Sequence, residues 1–357
     1  MHTRRPTRAH CPITAGTTCT GSEQRDSWLT VGVRTPRTRC YRDGLLVDEG
    51  FSLADVSEHL EVPDSVVWVD LDDPGEDDLA LLTDELGLHE LAVEDALSLG
   101  QRPKLDRYPD HLFLSAHSAD LDPATSRVTT HEIAAFITGR ALVTVHRNGR
   151  FDVDAIVARW DSSPDLTKNG VAFLVHGLLD YLVDGYFEAV EALDDEIEEL
   201  ESRLFVPTAD QELVQRRSFE LRKSLVTLRR VILPMREVVN TLLRRDLHLL
   251  GDEMGPYFQD VYDHVLRAME WTESLRDLAT SILEANLAIQ GNRLNVITKK
   301  VTGYAAIIAV PTAITGFYGQ NVPYPGFSQE FGYYSSIGLI VGLSALLYIL
   351  FKRNDWI

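Results

Sequence analysis

Two carboxamides stand at the end of an uncharged apolar run. Tyr318, Gly319, Gln320 and Asn321 follow directly on Val301 to Phe317, which carries no Asp, Glu, Lys or Arg. A carboxamide oxygen is a neutral, hard donor. The ion it suits without stripping its water is small, hard and slow to dehydrate, as Mg²⁺ is. One Asn selects nothing, but a ring of Asn321 side chains, one from each copy around an axis, would hold a hydrated cation at a pore mouth. Gly319 would let the backbone turn there and the copies approach closely. The pattern extends back along the run. Thr298, Val301, Thr302, Ala305, Ala309, Thr312 and Gly316 recur every three or four residues and form one small, weakly polar helix face, which Asn295 continues as a second polar ring. Ile307, Ile308, Val310, Ile314 and Phe317 supply much of the bulkier remainder. Small faces also serve close helix packing in membranes, so pore lining and a plain oligomer interface both stand here, and both require several copies of the helix. Pro311 removes one intrahelical hydrogen bond, and a mild kink is expected near the mouth.

Such a ring has to be carried by membrane-spanning helices. Val301 to Phe317 and Tyr334 to Phe351 are both free of charge, and each reaches the roughly 17 to 25 residues that a crossing requires. Lys299 and Lys300 precede the first run, Lys352 and Arg353 follow the second, and the loop between has no Lys or Arg, only Glu330. By the positive-inside rule both flanks face the cytoplasm and the loop faces out. The reading is a pore-lining first transmembrane helix at 301–318, an extracytoplasmic loop at 319–333, a second transmembrane helix at 334–351 and a basic cytoplasmic tail at 352–357.

The rest of the 357 residues must lie mostly outside the lipid, because a mean hydropathy of −0.09 is too low for a polytopic carrier. The formal charge of −20 is uneven: eight Arg face three acids in residues 1–45, a local +5 that leaves −25 for the remainder. A field of that sign repels nucleic acid and raises the local concentration of cations. Residues 1–40 read as a flexible basic tail without the apolar core of a secretory signal. Cys11, Cys19 and Cys40 show no CxxC spacing, which gives a zinc site or disulfide framework little support. Residues 41–164 read as a cytoplasmic α/β domain. Its strands are expected at Val66 to Val69, Leu112 to Ala116, Ile133 to Thr138 and Ala141 to Val145, with a tight hairpin at Gly139 and Arg140 and helical patterning from Leu79 to Leu99. Residues 165–300 read as a long-helix hairpin and stalk. Val171 to Phe205 is one periodic run broken by Pro207, Asp210 to about Leu250 a second, and Glu253 to Phe317 a third, about 95 to 100 Å long at 1.5 Å per residue. A helix of that length buries its apolar stripe against neighbouring helices, often from other subunits.

Several segments in this order and spacing resemble the CorA family of magnesium and divalent metal ion transporters. They are Glu94-Asp95 with Gln101 to Lys104; Leu221 to Leu225 with Leu228 to Arg230 and Pro234 to Glu237; Tyr257 to His264; Tyr318 to Asn321; and Phe351 to Arg353 ending in Trp356-Ile357. The resemblance implies a homopentameric funnel in the cytoplasmic membrane, with an α/β/α cytoplasmic domain, long stalk helices and two C-terminal transmembrane helices. It makes Gly319, Gln320 and Asn321 the selectivity filter and Asn295 an inner constriction. It also implies regulatory Mg²⁺ between neighbouring cytoplasmic domains, with Asp260 as one ligand and Asp122 as its partner, Asp120 being the alternative. Bound ions would screen carboxylate repulsion and close the ring, and their loss would loosen it.

Three departures stand out. Gln320 replaces the family's usual Met. Val322 to Glu330 replaces the usual acidic loop, so any attraction of cations falls on Glu330 alone. Thr298, Val301 and Ala309 replace bulkier pore residues, which weakens the case for a hydrophobic gate. Within the same fold a Zn²⁺ transporter of the ZntB kind is the alternative, opposed by the lack of Cys or His in the inferred pore. From another class, a non-conducting membrane-anchored coiled-coil scaffold or sensor would have a featureless first span. No phosphate loop, catalytic triad or HExxH pattern points to an enzyme.

Overall fold

The computed structural model describes residues 35–98, 100–122, 125–147, 151–204, 206, 211–244, 252–320 and 323–357. The chain from Pro36 onward forms one compact unit. It begins with β1 (Arg37–Arg42), β2 (Leu45–Glu49), α1 (Val56–Glu61), β3 (Ser65–Asp72), α2 (Glu76–Leu86) and α3 (Glu90–Leu97). The strands β4 (Lys104–Arg107), β5 (Leu112–Asp122), β6 (Arg127–Ile137) and β7 (Ala141–His146) follow. Then come α4 (Val153–Asp161), α5 (Pro164–Thr167), α6 (Val171–Leu204), α7 (Gln211–Leu242), α8 (Gly255–Tyr318) and α9 (Glu330–Arg353).

The strands form one sheet in the order β2-β1-β3-β7-β6-β5-β4. Among the described residues only β3 and β7 pair in parallel. Successive side chains on a strand point to opposite faces, and both faces here are apolar. Val67, Val69, Leu71, Phe113 and Phe136 pack with Val56, Leu79, Leu82 and Ala92 of α1, α2 and α3. Trp68, Leu112, Leu114, Ala135 and Ile137 face the other way, into a core shared with α4, α6, α7 and α8. That double burial produces the α/β/α layering.

One chain of polar side chains in the sheet is paired. Trp68 Nε1 donates to Thr144 Oγ1 at 3.1 Å, Thr144 donates to Asp70 Oδ1 at 2.6 Å, and His146 Nε2 lies 3.1 Å from Asp70 Oδ2.

Two expectations are corrected. Residues 37–40 do not belong to a tail: they are in β1, which lies between β2 and β3. The arginine there is tolerated because Arg39 Nη1 and Nη2 meet Asp161 of α4 at 3.2 and 3.0 Å, a bidentate pair that compensates its burial. The helical stretch expected from Leu79 to Leu99 is two helices. Gly87, at φ +67, caps α2 in the left-handed conformation that ends helices, and α3 starts anew after His89.

One stripe of α8 holds the stalk to the domain. Phe258, Val261, Val265, Ala268, Thr272, Leu275, Ala279, Ile282 and Asn286 are buried, at spacings that alternate three and four. This is the seam of a coiled coil. It ends at Asn286, whose side-chain amide donates to the Gln211 carbonyl at 3.3 Å. From residue 291 to 302 every residue is exposed, so α8 leaves the domain as a single helix before it meets α9.

Candidate ion pathway and metal sites

At 1.5 Å per residue the 64 residues of α8 run about 96 Å, continuously from the domain through Pro311 to Tyr318. Its last part and α9 are long and apolar enough to cross a membrane. The two helices pair as a hairpin. Tyr318 Oη and Ser335 Oγ are 3.5 Å apart at one end. At the other, a Cβ added to Gly303 would lie 3.0 Å from Ile357 Cγ1 and 3.7 Å from Phe351 Cδ2. The glycine lets the chain's last residues sit against the helix.

This contact divides α8 into faces. Gly303 is buried, and Ala306, Ile307, Val310, Ile314 and Tyr318 are half-buried on the side toward α9. Val301, Ala305, Ala309, Thr312 and Gly316 fall on the opposite side and are exposed, as are Asn295 and Thr298 nearer the stalk. The bulky set expected from the sequence splits: Ile307, Val310 and Ile314 are covered, whereas Ile308 and Phe317 are exposed. On the small face the Thr312 hydroxyl donates to the Ile308 carbonyl at 3.1 Å. Its proton is thus used by the helix, and the oxygen remains an acceptor.

At the outer end, Gly319 follows α8 with φ −83 and ψ −4, right-handed rather than left-handed. The glycine is explained by space: a Cβ there would stand 3.0 Å from the Thr315 carbonyl oxygen. Gln320 is exposed. Asn321, with Val322, lies outside the described residues. Glu330 opens α9 and is exposed, in the first turn where the helix dipole favours an acid.

The sequence reading missed what folds this loop. Phe317, Tyr318, Tyr324 and Phe327 form a chain of ring contacts, Tyr318 to Tyr324 at 4.9 Å and Tyr324 to Phe327 at 5.3 Å. Phe327 N–H donates to the Tyr324 carbonyl at 3.0 Å across Pro325 and Gly326, with Gly326 at φ +92. Pro then Gly at the centre of such a turn is the signal of type II, and it was legible in the sequence.

The candidate metal ligands come from two elements, α8 and β5. Asp260, in the first turns of α8, is exposed, with Oδ2 3.4 Å from His264 Nδ1. Asp122 ends β5 and accepts from the Thr125 hydroxyl at 2.7 Å. Asp120, also on β5, has Oδ2 3.4 Å from His131 Nε2, and it borders an open groove of about 430 Å³ with Glu188, Asp195, Glu196 and Glu199 of α6. Among the described residues no three His, Cys, Asp or Glu side chains converge as a metal site would require. Behind Asp260, His176 of α6 packs edge-on against Tyr257 and Phe258. Burial pushes this histidine below its ordinary range against the pull of Asp180 and Asp260.

Residues 63–353 match the model of the family described as CorA-like Mg²⁺ transporter protein. The chain belongs to the CorA family. It is 32% identical over 301 residues to YfjQ of Bacillus subtilis, covering 84% of this chain and 92% of that one. It is 29% identical over 312 residues to the cobalt/magnesium transport protein CorA of Thermotoga maritima, covering 86% and 88%. The complete structure of the CorA magnesium transporter from Methanocaldococcus jannaschii superposes with a TM-score of 0.73 at 24% identity, covering 91% of this chain and 99% of that one. The α/β domain, long helix and C-terminal apolar helices are therefore the CorA fold, and the protein is a divalent-cation transporter of a membrane.

Proposed function

We propose that this CorA protein takes up Mg²⁺ as a homopentamer, with the small face of α8 lining the pore and α9 surrounding it. The observation that carries the proposal is the division of α8: α9 covers the bulky side and leaves the Thr312 and Ala305 side, which leads to Gly319 and Gln320, uncovered. Five such helices facing an axis enclose neutral oxygens and small side chains, which suit a cation that keeps its water. Asn321 forms the outer ring and Asn295 an inner one. Both termini are cytoplasmic, and uptake follows the inside-negative potential, worth about 2.3 kcal/mol per charge per 100 mV and about twice that for a divalent ion. Co²⁺ and Ni²⁺ are adventitious substrates.

Regulatory Mg²⁺ binds between neighbouring cytoplasmic domains. Asp260 supplies a hard oxygen from one subunit and Asp122, or Asp120, from the next. The exposure of Asp260 suits a weak, exchangeable site fit to sense an abundant ion. The bound ion screens carboxylate repulsion and holds the ring closed.

Potential-driven uptake of Mg²⁺, Co²⁺ and Zn²⁺ into proteoliposomes, compared between wild type and Asn321→Ala, tests this function. The expected result is Mg²⁺ uptake that falls sharply in the variant. Unchanged Mg²⁺ uptake would remove Asn321 from the filter, and uptake of Zn²⁺ without Mg²⁺ would place the protein with zinc carriers.

A further inference from the structure

The membrane hairpin reverses the charge balance of the rest of the protein. Residues 285–357 hold five cations, Arg293, Lys299, Lys300, Lys352 and Arg353, against two acids, Glu330 and Asp355, in a chain of net charge −20. Four of the five lie near one level. Gly303 of α8 sits against Phe351 and Ile357. Lys299 and Lys300 are about 6 and 4.5 Å along α8 from that contact. Lys352 and Arg353 are about 1.5 and 3 Å beyond it along α9, on the same side because the helices run antiparallel. Four and three residues before Gly303, Lys299 and Lys300 share its face of α8, turned toward α9 and away from Val301, Ala305 and Thr312. All four cations are exposed, and among the described residues none is in an ion pair. The chain beyond them folds back onto the same place. Asp355, at φ +53, takes the left-handed conformation that closes a helix, and the Trp356 N–H donates to the Phe351 carbonyl at 2.9 Å. The Trp356 indole is thereby stacked on the Phe351 ring, centres 5.4 Å apart at 15°. Lys352 Nζ lies over the Tyr348 ring at 5.8 Å, a contact that leaves its charge uncompensated. An indole among cations at the end of an apolar span belongs at the headgroup level of a bilayer.

We propose that this cationic cluster binds the phosphate of an anionic phospholipid of the cytoplasmic leaflet, held between Lys299 and Lys300 of α8 and Lys352 and Arg353 of α9. Trp356 packs against the same lipid below its headgroup. The bound lipid ties the foot of α8, where the stalk enters the membrane, to the end of α9. Unpaired cations from two helices, placed directly where both apolar spans end, match a lipid phosphate in charge and in depth. The proposal rests on the reading that α8 and α9 cross the bilayer with this end cytoplasmic.

The test is quenching of tryptophan fluorescence in the full chain, reconstituted into mixed phosphatidylcholine and phosphatidylglycerol vesicles in which one lipid or the other carries brominated acyl chains. Trp68, Trp160 and Trp271 pack into the core of the domain, so the quenching that Trp356→Phe removes reports this site. Wild type should prefer phosphatidylglycerol, less strongly as salt rises. Lys299→Gln with Lys300→Gln, and Lys352→Gln with Arg353→Gln, should each weaken the preference at least about fivefold, the worth of one cation near an anionic surface. Lys299→Arg with Lys300→Arg should keep it, and oligomer mass should stay at the wild-type value throughout. Equal quenching by the two brominated lipids, or a preference that the Gln variants leave unchanged, overturns the proposal while the membrane spans stand. Loss of the preference on adding inorganic phosphate at constant ionic strength would assign the cluster to a soluble anion and overturn it as well. If the Gln variants lose preference only in proportion to lost oligomer mass, the cations hold subunits together and the proposal fails. No quenching of Trp356 by either lipid overturns the crossing and the proposal together.

Discussion

Replacing Gly332 by Ala should disable the outer loop while leaving the cytoplasmic domain intact. A Cβ on Gly332 would overlap the Gly326 carbonyl oxygen, well inside the 3.0 Å that real Cβ atoms essentially never breach, and would lie 3.0 Å from the carbonyl carbon. The obstacle is backbone, and Gly326 cannot readily yield, because its φ of +92 already holds a turn closed by the Phe327 N–H. Overpacking of this kind costs about 1 to 3 kcal/mol, which favours a displaced loop by about 5- to 150-fold. Mg²⁺ uptake in proteoliposomes, normalised to incorporated protein, should fall within that range. Gly338→Ala is the control, since a Cβ there meets nothing within 4 Å in this chain. Uptake at the wild-type rate by Gly332→Ala would refute the loop packing on which this argument rests.

Two further outcomes are expected. Asp260→Ala should shift inhibition by internal Mg²⁺ to higher concentration, because one hard oxygen donor would be lost from the proposed intersubunit site; an unaltered inhibition curve would rule that site out. His117 is held below the ordinary histidine range by burial, with His131 adding repulsion. The unfolded chain then binds more protons than the folded one, so stability is complete above the unfolded value of about 6.5 and is lost as pH falls below it. Melting temperature should decline on acidification through that window, and His117→Gln should decline less. Equal declines would show that His117 does not carry the effect.

The helical part of this fold was largely legible because its apolar periodicity is long and unbroken. The third helix, expected over Glu253 to Phe317, is observed as Gly255–Tyr318, and the first, expected over Val171 to Phe205, as Val171–Leu204. The β1–β2 hairpin was not. Its residues are arginine-rich and its second strand is wholly exposed, so no apolar alternation marks it. The signal that could have found it is Asp43-Gly44, with φ of +50 and +81 as a two-residue hairpin turn requires. The break at Gly87 was hidden for a different reason: helical patterning resumes within a few residues, and only the capping glycine marks the gap. At the candidate pathway, spacing alone grouped the small residues of α8. It could not say which of the bulky ones face α9, since that depends on where the second helix lands. Carboxylates that would meet only across subunits leave no mark on the spacing of a single chain, so the proposed pairing of Asp260 with Asp122 or Asp120 rests on the family resemblance.

The face of α8 that conducts can be measured directly. In a chain with Cys11 and Cys19 changed to Ser, and with Cys40 buried in the sheet, single Thr312→Cys, Ala305→Cys, Ile307→Cys and Ile314→Cys variants are treated with a cationic, water-soluble thiol reagent during Mg²⁺ uptake. The expected result is block of Thr312→Cys and Ala305→Cys, with Ile307→Cys and Ile314→Cys unaffected. Block of the two isoleucine positions, with Thr312→Cys and Ala305→Cys inert, would contradict the assignment of the pore to the side of α8 opposite α9.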